Sequence, residues 1–200
     1  MAKYGAMDLN FCPFAEVDAE EGAGLPDYDA TKRVNLGALQ KFTDSYSDEE
    51  VRMDGDDVLQ EYLDEITEGA ADVESCQLTQ PAERILFGLG SGDDLELGTQ
   101  TTPPWGGLTF VRSIMYHGTR YYQGIYFPKA KAKLQGEEDE TKGKSMSFRG
   151  DKLHFVIAPA KNGTIKVKSA WKTTVDAAKS WCTAKFPGAA ASETPATPTT

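Results

Sequence analysis

The groups of this chain that could do chemistry are two histidines, three cysteines and 31 carboxylates, spread over 200 residues. His117 stands beside Gly118 in a turn pattern. His154 lies between Leu153 and Phe155 and so faces the opposite side of an alternating strand. Neither has a second ligand at metal-binding spacing, so both read as structural or surface residues. Cys12, Cys76 and Cys182 are odd in number, far apart and outside any C-x-x-C, which fits reduced, buried thiols. Gly88-Leu89-Gly90-Ser91-Gly92 follows an apolar helical stripe instead of opening one, so it stops a helix and does not cradle phosphate. Asp54-Gly55-Asp56-Asp57 lacks the ligand spacing of a calcium loop and its closing Glu, and reads as an acidic turn. No serine sits in a G-x-S-x-G elbow. A catalytic acid among the carboxylates of 44–74 would need apolar surroundings to raise its pKa. These lie among one another, as a solvated acidic wall. The reading is of no catalytic residue, no metal and no cofactor.

Charge is the strongest global signal. Residues 1–100 hold 24 Asp+Glu and 6 Lys+Arg, and residues 101–200 hold 7 and 15, so balances of −18 and +8 sum to −10. An acidic half and a basic half suit head-to-tail contact between copies, and the acidic half repels polyanions. No run of 18 apolar residues is present, and Met1-Ala2-Lys3-Tyr4-Gly5 has no apolar stretch behind its lysine, so neither a membrane helix nor a secretion signal is expected. Asn162-Gly163-Thr164 then reads as a turn rather than a glycosylation site.

These groups must be held by a β framework. Residues 1–31 read as an arm and acidic linker with a sparse apolar edge (Tyr4, Met7, Leu9, Phe11, Phe14) that docks on a neighbour. Strand signals follow around 32–43, 44–54 and 58–76. In the last, Glu68, Ala70, Asp72 and Glu74 share one parity against Thr67, Gly69, Ala71 and Val73, which predicts one acidic and one small apolar face. Ala82, Ile85, Leu86 and Leu89 make a helical stripe after Thr79 and Pro81, stopped by Gly88. Alternation returns from Leu108 to Leu134 through a tight turn at His117-Gly118, with Lys129, Lys131 and Lys133 opposite Ala130 and Ala132. A charged loop, 136–144, precedes a strand at 153–157. Asn162-Gly163 predicts a hairpin whose return strand carries Ile165, Val167 and Trp171. A second helix spans about 174–186, capped at Thr173/Thr174. Residues 187–200, rich in Ala, Thr and Pro, read as a disordered tail. The expected fold is mainly β: an antiparallel β-sandwich of seven to nine strands, residues 32–186, with one or two short flanking helices and extended terminal arms.

The order of segments resembles the major tail proteins, or tail tube proteins, of long-tailed (siphovirus-type) bacteriophages. The likeness runs through Thr43-Asp44-Ser45-Tyr46-Ser47-Asp48-Glu49, then Leu63-Asp64-Glu65-Ile66-Thr67-Glu68-Gly69. It continues in the helix Pro81-Ala82-Glu83-Arg84-Ile85-Leu86-Phe87-Gly88 and the hairpin from Gly107 to Lys131, with Gly118, Tyr121, Tyr122, Tyr126 and Lys129. It spans about 32–186 and rests on a succession of weak motifs. It implies a virion structural protein, not an enzyme. Six subunits would form a ring, and rings would stack into a hollow tube around a tape-measure protein. Tail terminator and distal tail proteins would sit at its ends. DNA would be its passing cargo, and the host cytoplasm its place of assembly. On that expectation Glu68, Asp72 and Glu74 are candidates for a lumen-facing acidic wall. Tyr4, Phe11, Phe14 and the loop residues Glu137, Glu138, Asp139 and Glu140 are candidates for contacts between subunits and rings. Two other readings stay open. One is another phage ring protein (tail terminator or capsid accessory). The other is a carbohydrate-binding sandwich using Trp105, Tyr116, Tyr121, Tyr122 and Tyr126.

Overall fold

A computed structural model describes residues 3–7, 11–20, 24–37, 39–55, 58–75, 78–90, 94–133 and 151–186. The chain is mainly β, with nine strands and two helices among the described residues. The strands are β1 (Lys3–Met7), β2 (Pro13–Ala19), β3 (Asp27–Asn35), β4 (Leu39–Gly55), β5 (Val58–Ser75), β6 (Trp105–Tyr116), β7 (Thr119–Lys133), β8 (Asp151–Ile157) and β9 (Val167–Lys168). The helices are α1 (Gln80–Phe87) and α2 (Val175–Thr183). All pairings given by the register are antiparallel, in the order β3-β2-β6-β7-β8-β5-β4, with β1 also on β6 and β9 also on β7.

The sheet doubles back on itself. Four strand spacings, about 19 Å at ~4.8 Å each, separate β4 from β6 along a flat sheet. Yet the Phe42 ring on β4 lies 4.3 Å from Phe110 on β6 and 5.7 Å from Phe127 on β7. Phe14 on β2 likewise reaches within 6.5 Å of Phe155, three strands away. The two halves of one sheet therefore face each other across a shared apolar core, which is the sandwich expected from the alternation. Each large aromatic fully buried there contributes about 1.5–3 kcal/mol relative to exposure.

Local chemistry explains the elements. His117 (φ 46°) and Gly118 (φ 80°) both take left-handed backbone, the two-residue turn whose twist matches a β6–β7 hairpin. α1 has Pro81 in its first turn and ends where Gly88 turns left-handed (φ 66°). Thr79 occupies its N-cap without a side-chain bond. Ala82 and Leu86 of α1 join the core beside Cys12, Phe14 and Leu36. Thr174 caps α2 by accepting a hydrogen bond from Ala177 N. α2 lies on the outer face of β6 and β7 and buries Ala178 and Cys182 against Val111 and Phe11.

Two expectations are corrected. The first concerns the arm. Residues 13–19 and 27–35 are strands of the sheet, and Phe14 is wholly buried in the chain's own core. Phe11 is buried under α2. Gly106 makes this possible: a Cβ there would lie 2.2 Å from Phe14 Cζ, so only glycine leaves the slot that Phe14 fills. Glu20 fastens the end of the segment through Lys129 Nζ at 2.7 Å and Lys161 N at 2.7 Å. The second concerns the hairpin at Asn162-Gly163. The turn forms, with Gly163 at φ 77°, but the chain after it pairs with β7 through Val167 and Lys168 rather than with the strand before it. Among the described residues β8 covers Ala130–Lys133 of β7, and the returning chain pairs with β7 further along, at Ile125 and Tyr126. The loop 136–144 and the tail 187–200 lie outside the described residues.

Candidate functional site

Among the described residues, the sandwich has one outer face covered by a helix and one that no helix covers. α2 covers β6 and β7 near Gly124, where Trp181 and Cys182 approach the strand. On β5 the odd positions Gly69, Ala71 and Val73 are buried, while Glu68 and Asp72 are exposed and Ala70 and Glu74 are half-buried, so the parity read from sequence holds. The register carries this outer face across four strands. One row runs Lys131 (β7), Val156 (β8), Ala70 (β5), Ser45 (β4). The next runs Lys133, His154, Asp72, Thr43. The last runs Lys152, Glu74, Lys41.

Glu68, Asp72 and Glu74 thus share one face, as expected, but the face is not an acidic wall. Glu74 stands between Lys152 and Lys41. Asp72 Oδ1 lies 2.7 Å from His154 Nδ1, with Asp72 70% exposed. Asp72 and Glu74 lie among Lys41, Lys131, Lys133 and Lys152, whereas Glu68 pairs with Ser47 at the margin of this patch. The local field is mixed in sign, because β7 and β8 from the basic half, together with Lys41 of β4, supply the opposing charges. Sequence alternation revealed Lys131 and Lys133 as a stripe. Only the register shows that they lie beside the carboxylates.

A second polar group sits between the layers. Asp44 on β4 forms an ion pair with Lys166 and accepts a hydrogen bond from Tyr46 Oη at 2.6 Å. The Lys166 ammonium lies over the rings of Phe127 (5.2 Å) and Tyr46 (5.7 Å). Burial disfavours the Asp44 carboxylate, yet the Lys166 and Tyr46 bonds outweigh it and hold the group below the usual carboxylate range. Burial, then the bond to Asp44, pushes Tyr46 up. This group ties β4 to the chain entering β9.

The remaining candidates carry structure. The Cys12 thiol is pushed up by burial, and Cys182 is pushed up to about 12 by the same cause, so neither is a thiolate nucleophile near neutrality. Cys76 lies outside the described residues. His117 is in the turn, with its ring edge-on to Tyr116 at 4.2 Å. Tyr126 is fully buried and bonded to Tyr28, so it is no sugar platform. Tyr4 lies on β1, paired with Ile114. Glu137, Glu138, Asp139 and Glu140 lie outside the described residues. Among the described residues no group of three or more His, Cys, Asp or Glu is placed to hold a metal ion, and no helix is long and apolar enough to cross a membrane. No protein-family model matches the chain, and the comparison with curated proteins finds no match.

Proposed function

We propose that this chain is a self-assembling structural protein, a tail tube protein of a long-tailed bacteriophage. Its subunits form hexameric rings that stack into a hollow tube conducting DNA. The observation that carries the reading is the shape of the sheet. Among the described residues β3 and β4 end the strand order, and β4 runs 17 residues. Exposed edges of that length invite strand pairing, and a rotationally repeated heterologous contact closes them into a ring. The uncovered polar face of β4, β5, β8 and β7 is the surface such a ring can turn toward its lumen, with α2 outward. The order of segments supports the same reading. The role is structural rather than enzymatic, in the virion tail after assembly in the host cytoplasm. Partners would be other copies, a tape-measure protein, and tail terminator and distal tail proteins.

Negative-stain electron microscopy of the purified protein, with sedimentation velocity across concentration, tests this. Rings and tubes are expected. A single subunit at every concentration refutes it. Single rings that never elongate favour a terminator or capsid accessory protein instead. The carbohydrate-binding alternative is favoured by one observation, the surface group of Tyr116, Tyr121 and Trp171, with ring centroids 5.4 and 5.6 Å apart. A monomer retained on a glycan column would support it.

A further inference from the structure

One face of the β6–β7 hairpin leaves the core in regular steps. Phe110 opposite Ile125 belongs to the core. The next pair is Arg112 opposite Gln123, then Ile114 opposite Tyr121, then Tyr116 opposite Thr119 at the turn. Alternate residues of a strand share a side, so these pairs form one strip with steps of about 7 Å. The chain 167–172 runs along the edge of β7, with Lys168 opposite Ile125 and Lys172 bridged to Tyr122. Trp171 lies against the strip, its ring centroid 5.4 Å from Tyr116 and 5.6 Å from Tyr121. The strip is thus cationic toward the core and aromatic toward the turn.

Its groups face solvent while being held in place. Trp171 is 43% and Tyr116 38% exposed. Lys168 is exposed, and Arg112 and Tyr121 are half-buried. Arg112 donates from Nε and Nη2 to Gln123 Oε1 at 3.2 and 2.8 Å, and Gln123 Nε2 donates to the Ser169 carbonyl at 2.7 Å. This relay fixes the guanidinium beside the edge chain. The Asp44–Lys166 pair adjoins it: burial works most strongly against the Lys166 charge, Asp44 supports it, and Lys168 and Arg112 add repulsion. Among the described residues, three cations and one carboxylate therefore gather at this end, an excess that attracts an anionic group.

We propose that this strip binds an acidic saccharide, one sugar ring stacking on Trp171 and Tyr121 while its carboxylate meets Arg112 and Lys168. The spacing carries the assignment. One strand step of about 7 Å separates the Arg112 row from the Tyr121 row, so the ligand joins a negative group to a flat C–H face within a single ring. Sugar acids have this build, and a guanidinium complements a carboxylate. Single-stranded nucleic acid also combines negative charge with stacking faces, but its backbone needs cations tracking along a groove. Here the cations stop at one end, a carboxylate stands among them, and the chain's net charge of −10 opposes a long polyanion. The assignment goes beyond the sugar-platform alternative by fixing the charge of the sugar, and it holds whether or not copies assemble.

Isothermal titration with trigalacturonate, and with maltotriose as the neutral control, tests it. Saturable binding of trigalacturonate is expected, at least about tenfold tighter than maltotriose. W171A and K168E should each weaken it at least about tenfold, and K168R should stay within about threefold of wild type. Both positions are exposed, so the variants should fold, as thermal midpoints will show. Raising salt from about 0.05 to 0.5 M should weaken binding as screening grows. Absence of saturation up to about 10 mM overturns the proposal, because the affinity is then too weak for a specific site. Equal binding of maltotriose, or wild-type affinity in both folded variants, does so as well. So does oligothymidylate binding that is lost in W171A and K168E while trigalacturonate is ignored. Sedimentation of the same samples keeps the two readings apart. Tubes without saccharide binding sink this site and leave the tube reading standing, whereas a monomer that binds trigalacturonate through Trp171 and Lys168 does the reverse.

Discussion

Phe14→Ala separates a strand built into the subunit from an arm that meets a neighbour. Phe14 is fully buried, with its ring 6.5 Å from Phe155 and against Gly106. Truncation removes the ring from a slot walled by backbone, and Gly106 has no side chain to move into the void. Losses for Phe→Ala in such sites are about 3–5 kcal/mol, a large part of the ~5–15 kcal/mol that holds a domain together. With a urea m-value of about 2–3 kcal/mol/M, the unfolding midpoint should fall by roughly 1–2.5 M with m unchanged. The assay is tryptophan fluorescence from Trp105, Trp171 and Trp181 at a dilution where the wild type is a single subunit. A loss under about 0.5 kcal/mol, typical of surface changes, together with failed assembly, would refute the packing argument and restore the arm.

Other outcomes follow from the same geometry. Tyr28 Oη donates to the Pro128 carbonyl at 2.7 Å and receives the Tyr126 hydroxyl; Tyr28→Phe leaves both buried partners unsatisfied and should cost about 1–3 kcal/mol in denaturant melts. Asp44 has a folded pKa below its unfolded value, so its contribution is complete above about pH 5 and fades as pH falls through the folded value. Wild type should therefore lose stability on acidification more steeply than Asp44→Asn, and parallel curves from pH 6 to pH 3 would contradict the ion pair. Gly106→Ala should destabilise by about 1–3 kcal/mol through overpacking against Phe14, read as a lower thermal midpoint. Glu68→Gln/Asp72→Asn/Glu74→Gln should leave folding within about 1 kcal/mol, because the face is solvated and its Asp72–His154 pair exposed. On the proposed function it should also leave tubes intact while slowing DNA ejection from particles. Unchanged ejection, with these residues on the outside of the tube, would refute their placement in the lumen.

Much of this framework was legible in order because its signals are local. Parity on β5, the His117-Gly118 turn, the α1 stripe before Gly88 and the Thr174 cap each depend on residues a few positions apart, where backbone geometry and side-chain period act directly. What failed was long-range. Nothing near Phe14 in sequence announces that Gly106 opens a slot for it 92 positions on. The Asn162-Gly163 turn was readable, but its partner strand was chosen by which edge of β7 β8 had left open.

The candidate face divides in the same way. Alternation alone determined that Glu68, Asp72 and Glu74 share a side of one strand and that Lys131 and Lys133 share a side of another. Strand register, a product of the whole sheet's packing, decided that these sides are the same surface and that carboxylates and lysines compensate there. Period along a chain is set by each residue's own geometry, whereas neighbours across a sheet are set by the competition of all strands for one core.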